Sequence, residues 1–200
     1  IPTRQLGRTG LTVSALALGT TEIGYTYGIG PRDLPSEKES IDLLCCAVDL
    51  GIRFIDTGHF YGLAEERIGR SGIAKRDGVI VSTKCGHVLD RGETISEPEL
   101  EKQFREELES SLRKLDLDVI PLVQVHGGSA EQISSGVISS IMEKLRQEGK
   151  LRYFGISCRG EEAPLAAIAD GKFDALQLAY SILDQRMTPR VFSAAEGANI

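Results

Sequence analysis

Three apolar segments, at residues 53–57, 79–84 and 122–126, each run into a polar side chain that could take part in chemistry. Each segment has the length and composition of a buried β-strand. Side chains in a strand alternate between two faces, so the polar ends are predicted to share a face with every second residue before them. Polar groups from three strands are therefore expected to meet in one interior. These end residues are Asp56, Lys84 and His126.

The opposite faces of the same segments are purely aliphatic. A parallel strand is usually covered on both sides, and an aliphatic face suits packing against a layer of helices. The pattern predicts strands with a polar interior and an outer helical coat. The residues of the aliphatic face are Ile55, Val79, Val81, Val123 and Val125.

Helical patterns separate the strand-like segments along the whole chain. A capping-box pattern at 36–39 opens a helix that Gly51 ends, and a similar pattern at 96–99 opens another. Further helices are predicted at 64–73, 133–147 and 164–169, and one begins at Thr188 and Pro189. Additional strands are predicted at 11–19, 151–157 and 173–180, with 4–6 pairing with 11–13 as a hairpin and 20–34 forming a glycine-rich loop.

Strands that alternate with helices indicate right-handed βαβ units and a parallel sheet. A doubly wound sheet usually has a glycine-rich phosphate turn after its first strand, but Gly19 and Thr20 enter a loop without that motif. A TIM barrel instead collects functional residues from several strand ends. We therefore predict an α/β fold of the TIM (β/α)8-type parallel barrel.

The length of the chain limits this prediction. A complete barrel takes about 250 residues, or ~31 for each βα unit, so 200 residues accommodate about six of eight units. We expect residues 1–200 to form a single barrel domain that contains strands 1 to 6 and is incomplete at its C-terminus.

Composition narrows the function classes. The chain is 41% hydrophobic and 26% charged with a net charge of −6, so it has no basic patch for nucleic acid and enough apolar material for one core. No stretch approaches the ~20 apolar residues of a membrane span, and residues 1–20 lack a secretory signal, so a cytoplasmic protein is expected. Four cysteines without zinc spacing predict reduced thiols and no metal site.

The strand-end residues, together with Tyr61, are expected to form a proton relay. A buried ammonium on Lys84 needs a counter-ion, and Asp56 at similar height can supply it. A neighbouring ammonium stabilises a phenolate, which makes Tyr61 a usable proton donor and acceptor. His126 can donate a hydrogen bond to a carbonyl oxygen. This set contains no nucleophile. It suits hydride transfer to a carbonyl, a reaction in which the cofactor carries out the difficult chemistry.

Several motifs, in order, resemble the aldo-keto reductase superfamily. They lie at 6–14, 54–57, 61–62, 65–66, 83–86, 125–126, 155–157 and 177–181. The resemblance implies that Tyr61 is the general acid/base, that Lys84 and Asp56 tune it, and that His126 orients the carbonyl. It also implies NADPH as cofactor, with NADH not excluded. The implied cofactor-binding residues are Gly19, Thr20, Asp56, Ser157, Gln177 and Tyr180.

The resulting hypothesis is an oxidoreductase that reduces an aldehyde or ketone to an alcohol, acting on a small-molecule carbonyl substrate. One alternative is a catalytically incompetent remnant or regulatory binding protein without dinucleotide affinity, because the family's phosphate loops follow strands seven and eight. Another is a Schiff-base lyase that uses Lys84 as its nucleophile. His59, Phe60 and His87 are candidates for the substrate pocket, while the substrate and the oligomeric state stay open.

Overall fold

The computed structural model describes residues 1–30, 33–91 and 95–200. The chain opens with the predicted hairpin, in which β1 (Thr3–Gln5) pairs antiparallel with β2 (Thr12–Ser14) and Arg4 faces Val13. Six parallel strands follow. They are β3 (Ala17–Gly19), β4 (Phe54–Asp56), β5 (Ile80–Cys85), β6 (Ile120–His126), β7 (Leu151–Cys158) and β8 (Ala175–Leu178).

Helices lie between these strands and after the last of them. They are α1 (Glu37–Asp49), α2 (Ala64–Ser71), α3 (His87–Asp90), α4 (Glu97–Leu115), α5 (Ala130–Ser134), α6 (Val137–Gln147), α7 (Glu162–Asp170) and α8 (Ser193–Gly197). Short 3₁₀ turns occur at Gly7–Thr9, Thr21–Ile23 and Ile73–Lys75, and a π-helical turn at Thr188–Phe192. No helix in the described ranges is long and apolar enough to cross a membrane.

The six parallel strands are hydrogen-bonded in the order in which they occur in the chain, from β3 to β8. A doubly wound sheet reverses its strand order at a switch point, whereas a barrel adds each new strand on the same side. The sheet curls into an incomplete TIM barrel, which confirms the predicted fold class.

The two faces of the sheet divide as predicted. The aliphatic residues Ile55, Val81, Val123 and Val125 are buried in the core between the sheet and the helices, and β7 adds Phe154. Helix α4 covers this layer with Leu100, Phe104 and Leu108, which recur every four residues and are also buried. The core therefore lies outside the strands, and the opposite face carries the polar strand ends.

Both predicted capping-box serines are N-cap residues, but only one of them makes the predicted bonds. At α1 the Ser36 side chain accepts from the backbone N–H of Glu39, and the Glu39 side chain accepts from that of Ser36, so the predicted capping box is present. Ser96 is the N-cap residue of α4, but its side chain makes no capping bond.

Several element boundaries differ from the prediction. Bends at Ala15 and Leu16 split the strand predicted at 11–19 into β2 and β3. The helix predicted at 133–147 is two helices because Gly136, at φ +76°, separates α5 from α6. The strand predicted at 173–180 is confined to β8. In the predicted loop 20–34, a 3₁₀ turn occupies the start, and residues 31 and 32 lie outside the described residues.

Candidate active site

A buried ion pair between β4 and β5 is the centre of the site. Asp56 faces Ser82 on the neighbouring strand, and Lys84 lies two residues further along on the same face. The Lys84 Nζ atom donates to both carboxylate oxygens of Asp56, at 2.7 and 2.8 Å, and to the carbonyl oxygen of Thr57 at 2.8 Å. Only 2% of Lys84 is exposed. All three ammonium protons are used, which is the condition for holding such a charge away from water.

Asp56 is fixed through its main chain as well as its carboxylate. The backbone N–H and the hydroxyl of Thr20 both donate to the Asp56 carbonyl oxygen, at 3.0 and 2.9 Å. Thr20 is fully buried. The resemblance implies that Thr20 contacts the cofactor, and in the structure its hydroxyl also donates to Asp56. Gly19, at the end of β3, is exposed with open space around its Cα.

Tyr61 and His126 lie beside the ion pair. The Lys84 Nζ atom is 5.0 Å from the centre of the Tyr61 ring. The Tyr61 and His126 rings meet edge to face, with centres 5.9 Å apart and planes at 84°. The turn before α2 positions Tyr61, because its N–H donates to Gly58 and its carbonyl accepts from Ala64. The four residues that the sequence predicts as a relay are therefore brought together.

His126 is neutral at physiological pH. Burial, with smaller contributions from the positive charge of Lys84 and from the neighbouring His87, lowers the pKa of His126 from 6.5 to about 4. Its Nδ1 atom is buried and has no hydrogen-bond partner among the described residues. A neutral imidazole can donate one hydrogen bond, but it is a poor source of a proton at pH 7.

A cavity of about 250 Å³ opens in front of Tyr61 and His126. Its charged residues are Asp90 and Arg159, whose side chains pair at 3.5 Å. The remaining wall is mainly aromatic, and Phe60 stacks on His87 with ring centres 3.8 Å apart. These wall residues are Tyr25, Tyr27, Phe60, Tyr61, His87 and His126.

Sequence reasoning found part of this wall. Phe60 and His87 line the cavity, as expected, while His59 lies against a buried carboxylate, its Nδ1 atom 3.8 Å from Oε2 of Glu65. Five residues of the wall were missed, namely Thr21, Tyr25, Tyr27, Asp90 and Arg159. Arg159 directly follows the last residue of β7, so the strand-end rule applied to Lys84 and His126 would have indicated it.

Two of the residues implied for cofactor binding, Ser157 and Gln177, lie side by side on β7 and β8, across the cavity rim from the ion pair. Ser157 faces His126 on β6 and Gln177 on β8. The Oε1 atom of Gln177 is buried without a partner in the described structure. Tyr180 follows β8, is 51% exposed, and its ring lies 5.1 Å from that of Phe192.

The cysteines offer no alternative chemistry at this site. Burial raises the pKa of the Cys158 thiol to about 12 and also raises that of Cys85, so neither is a thiolate at pH 7. Within residues 1–30, 33–91 and 95–200, no three His, Cys, Asp or Glu side chains are grouped so that they could hold a metal ion.

Comparison with known proteins identifies the family. The model of the Aldo/keto reductase family matches residues 15–200. The chain belongs to the aldo-keto reductase family, as the sequence motifs indicate.

Curated relatives and a solved structure agree with this assignment. The chain is 34% identical to L-galactose dehydrogenase of Arabidopsis thaliana, over 78% of this chain and 48% of the relative. It is 31% identical to the NADH-specific methylglyoxal reductase of Escherichia coli, over 91% of this chain and 60% of the relative. It superimposes on a holo-form aldo-keto reductase from Bacillus halodurans with a TM-score of 0.81 and 28% identity, covering 100% of this chain and 64% of that one. The chain thus spans about half the length of the curated relatives it matches.

Proposed function

We propose that this barrel reduces an aldehyde or ketone to an alcohol, with Tyr61 as the proton donor and NADPH as the hydride donor. The observation that carries the proposal is the Lys84 ammonium, bound to Asp56 and Thr57 and held beside the Tyr61 ring. The neutral His126 meets the same ring from the side. Family membership supports carbonyl reduction in general, and the roles of individual residues are part of the proposal.

Each of these side chains has a defined task. With its three N–H bonds engaged, Lys84 acts as a fixed positive charge that favours negative charge on the Tyr61 oxygen as its proton leaves. His126 donates a hydrogen bond to the carbonyl oxygen and polarises it. Since His126 holds no extra proton at pH 7, the proton that completes the alcohol comes from Tyr61.

The row on β7 and β8 fits a nicotinamide carboxamide. The buried Gln177 Oε1 atom lacks a donor, and an amide N–H₂ group would supply one. Ser157, its neighbour in the row, offers a hydroxyl to the same group. Bound there, the nicotinamide would supply the hydride. Exposed Gly19 and Tyr180 would flank it, while Thr20 contributes by holding Asp56.

Two other functions are less well supported. A Schiff-base lyase needs a free amine as its nucleophile. The Lys84 ammonium is instead hydrogen-bonded to the Asp56 carboxylate and to the Thr57 carbonyl, and the side chain is almost fully buried. A binding protein without catalysis would not need a neutral imidazole and a phenol packed against that pair, although it would retain the cavity.

Steady-state oxidation of NADPH with a panel of aldehydes tests the proposal. A Tyr61→Phe variant should lose at least about 100-fold in kcat, the typical contribution of an acid/base group. Tyr153→Phe, which removes a hydroxyl from β7 four residues before Ser157, should retain turnover within about twofold. Full turnover by Tyr61→Phe would refute the acid role.

A fluorescence titration with NADPH and NADH addresses the cofactor. Binding at micromolar or lower concentration would exclude a remnant that has lost dinucleotide affinity. Because a relative is NADH-specific, the ratio of the two dissociation constants decides between the nucleotides. Tighter binding of NADPH is expected, and a preference for NADH would contradict that part of the proposal.

A further inference from the structure

Glu65 is a buried carboxylate that the proposed reaction does not use. It lies in the first turn of α2, four residues after Tyr61, and only 1% of it is exposed. Its Oε1 atom accepts a hydrogen bond of 2.5 Å from the hydroxyl of Thr83 on β5. Its Oε2 atom lies 3.8 Å from Nδ1 of His59, and neither atom has a hydrogen-bond partner among the described residues. The carboxylate thus lies between β5 and the loop that leads into α2.

Stability does not explain a carboxylate in this place. Taking a charged group out of water is costly unless it is paired and fully hydrogen-bonded, and apolar side chains of similar volume often stabilise a core better. The side-chain hydrogen bond that Glu65 accepts comes from a neutral hydroxyl. Its neighbours on α2, Ala64 and Ile68, are fully buried in the apolar core. The benefit of this carboxylate is therefore the geometry that its hydrogen bond imposes.

The two elements that Glu65 joins are those that carry Tyr61 and Lys84. Thr83 directly precedes Lys84 on β5, so its side chain lies on the opposite face of the strand. Tyr61 lies in the turn that leads into α2, where its carbonyl accepts from the N–H of Ala64, the residue before Glu65. The bond between the carboxylate and the Thr83 hydroxyl therefore holds the start of α2 against β5, one residue away from Lys84.

We propose that Glu65 is a positioning residue that sets the distance between the Tyr61 ring and the Lys84 ammonium. That distance is 5.0 Å from Nζ to the ring centre. Because the attraction between charges falls with their separation, it decides how strongly the ammonium favours negative charge on the Tyr61 oxygen. The Glu65–Thr83 bond fixes the distance from the face of β5 that points away from Lys84. This inference rests on the proposed role of Tyr61 as proton donor.

The double variant Glu65→Met with Thr83→Val removes the bond and leaves neither partner unpaired. Replacing both partners by apolar side chains of similar shape is nearly neutral for stability, so the protein should unfold in urea at almost the same concentration. Its kcat should fall about tenfold, because small displacements of reacting groups are costly, while KM changes less than twofold. A double variant that is much less stable would show that the pair serves the fold itself, and would overturn the inference.

Two single variants serve as controls for this experiment. Glu65→Gln keeps an oxygen that can accept from the Thr83 hydroxyl, so it should retain kcat within about twofold. Ile68→Val changes a fully buried side chain on the same helix without touching the bond, and should also retain kcat within about twofold. A tenfold loss in either control would indicate a general effect of packing or charge and would contradict positioning by the Glu65–Thr83 bond.

A measurement without substrate separates this inference from the proposed function. The ring current of Tyr61 affects the ¹H–¹⁵N signal of the Lys84 ammonium, which is buried and makes three hydrogen bonds. That signal should move in the double variant and stay in place in Glu65→Gln. If the unmodified protein reduces no carbonyl compound but the signals behave in this way, reduction is refuted while positioning by Glu65 stands. If the signal or the kcat of the double variant is unchanged in an active protein, positioning by Glu65 is refuted while reduction stands. An unchanged signal in an inactive protein refutes both.

Discussion

The two sides of the cavity rim differ in how far their polar groups are already satisfied. On β4 and β5, Lys84 is 2% exposed and makes three hydrogen bonds, and the main chain of Asp56 is held by Thr20. On β8 and the segment after it, Gln177 has an unpartnered oxygen. Beyond it, Ile182 and Leu183 are 91% and 97% exposed. The Lys84–Asp56 pair is thus completed by the chain's own contacts, whereas the side assigned to the cofactor offers contacts that are still to be made.

The comparison predicts that stability depends on the first side and ligand affinity on the second. Mutations on each side can test this division. A variant of the relay side should lower the free energy of unfolding even when no ligand is bound. A variant of the other side should leave unfolding almost unchanged.

The largest effect is expected for Lys84→Met. It leaves the Asp56 carboxylate without its counter-ion, and breaking a buried pair in this way costs about 3 to 4 kcal/mol. Urea unfolding followed by circular dichroism measures the loss. The double variant Asp56→Asn with Lys84→Met should recover part of it, because no unpaired charge remains. An equally unstable double variant would show that the charge is not the cause.

Gly86→Ala should cost about 3 kcal/mol. Gly86 has φ +78°, and an added Cβ would lie 2.4 Å from the Phe104 ring in the core. Gly72→Ala is a matched control, because its φ of +72° is similar but no atom lies within 4 Å of the added carbon. That variant should lose only about 1 kcal/mol, the strain of the backbone alone. Similar losses for both would rule out the clash as the cause.

Acid should weaken the relay side by up to about 3 kcal/mol. Burial lowers the pKa of His126 to about 4, while the unfolded chain retains the ordinary value of 6.5. Between these values the unfolded state binds more protons, so stability falls as the pH is lowered from 6.5 to 4. Urea midpoints at several pH values follow this decline. His126→Gln should flatten it, leaving the smaller contribution of His87, whose pKa is lowered in the same direction. A decline that persists unchanged in His126→Gln would contradict the assignment.

The smallest effect on stability is expected for Gln177→Leu. Because the Oε1 atom of Gln177 has no donor, its loss should change the free energy of unfolding by less than about 0.5 kcal/mol. The dissociation constant for NADPH should nevertheless rise about tenfold, as measured by fluorescence titration. Gln124→Leu is the control on the relay side. It removes a buried hydrogen bond of 3.0 Å to Ser82 and should cost about 1 to 2 kcal/mol.

Local patterns in the sequence were sufficient to predict the strand faces and the pairing of Lys84 with Asp56. Both follow from the alternation of side chains and from the need of a buried charge for a counter-ion. The capping box of α1 could also be predicted, because its two partners, Ser36 and Glu39, are only three residues apart in the sequence.

Features that depend on distant contacts could not be read in this way. The turn at Gly136 and the short helix α3 depend on how the surrounding chain packs. The hydrogen bond from Thr20 to the Asp56 carbonyl joins residues 36 positions apart that only the folded sheet brings together. Tyr25 joins the cavity wall through its approach to Phe60, with ring centres 5.8 Å apart, which no spacing in the sequence encodes.

The alignment of β5 with β4 has a consequence for folding. A shift of one residue would turn Lys84 toward the helical coat and Cys85 toward the interior, because neighbouring side chains alternate in direction. The ammonium would then lose the Asp56 carboxylate and the Thr57 carbonyl, and the ring of His87 would be carried away from His126. The same ion pair that serves the proposed chemistry therefore also favours the correct alignment of the two strands.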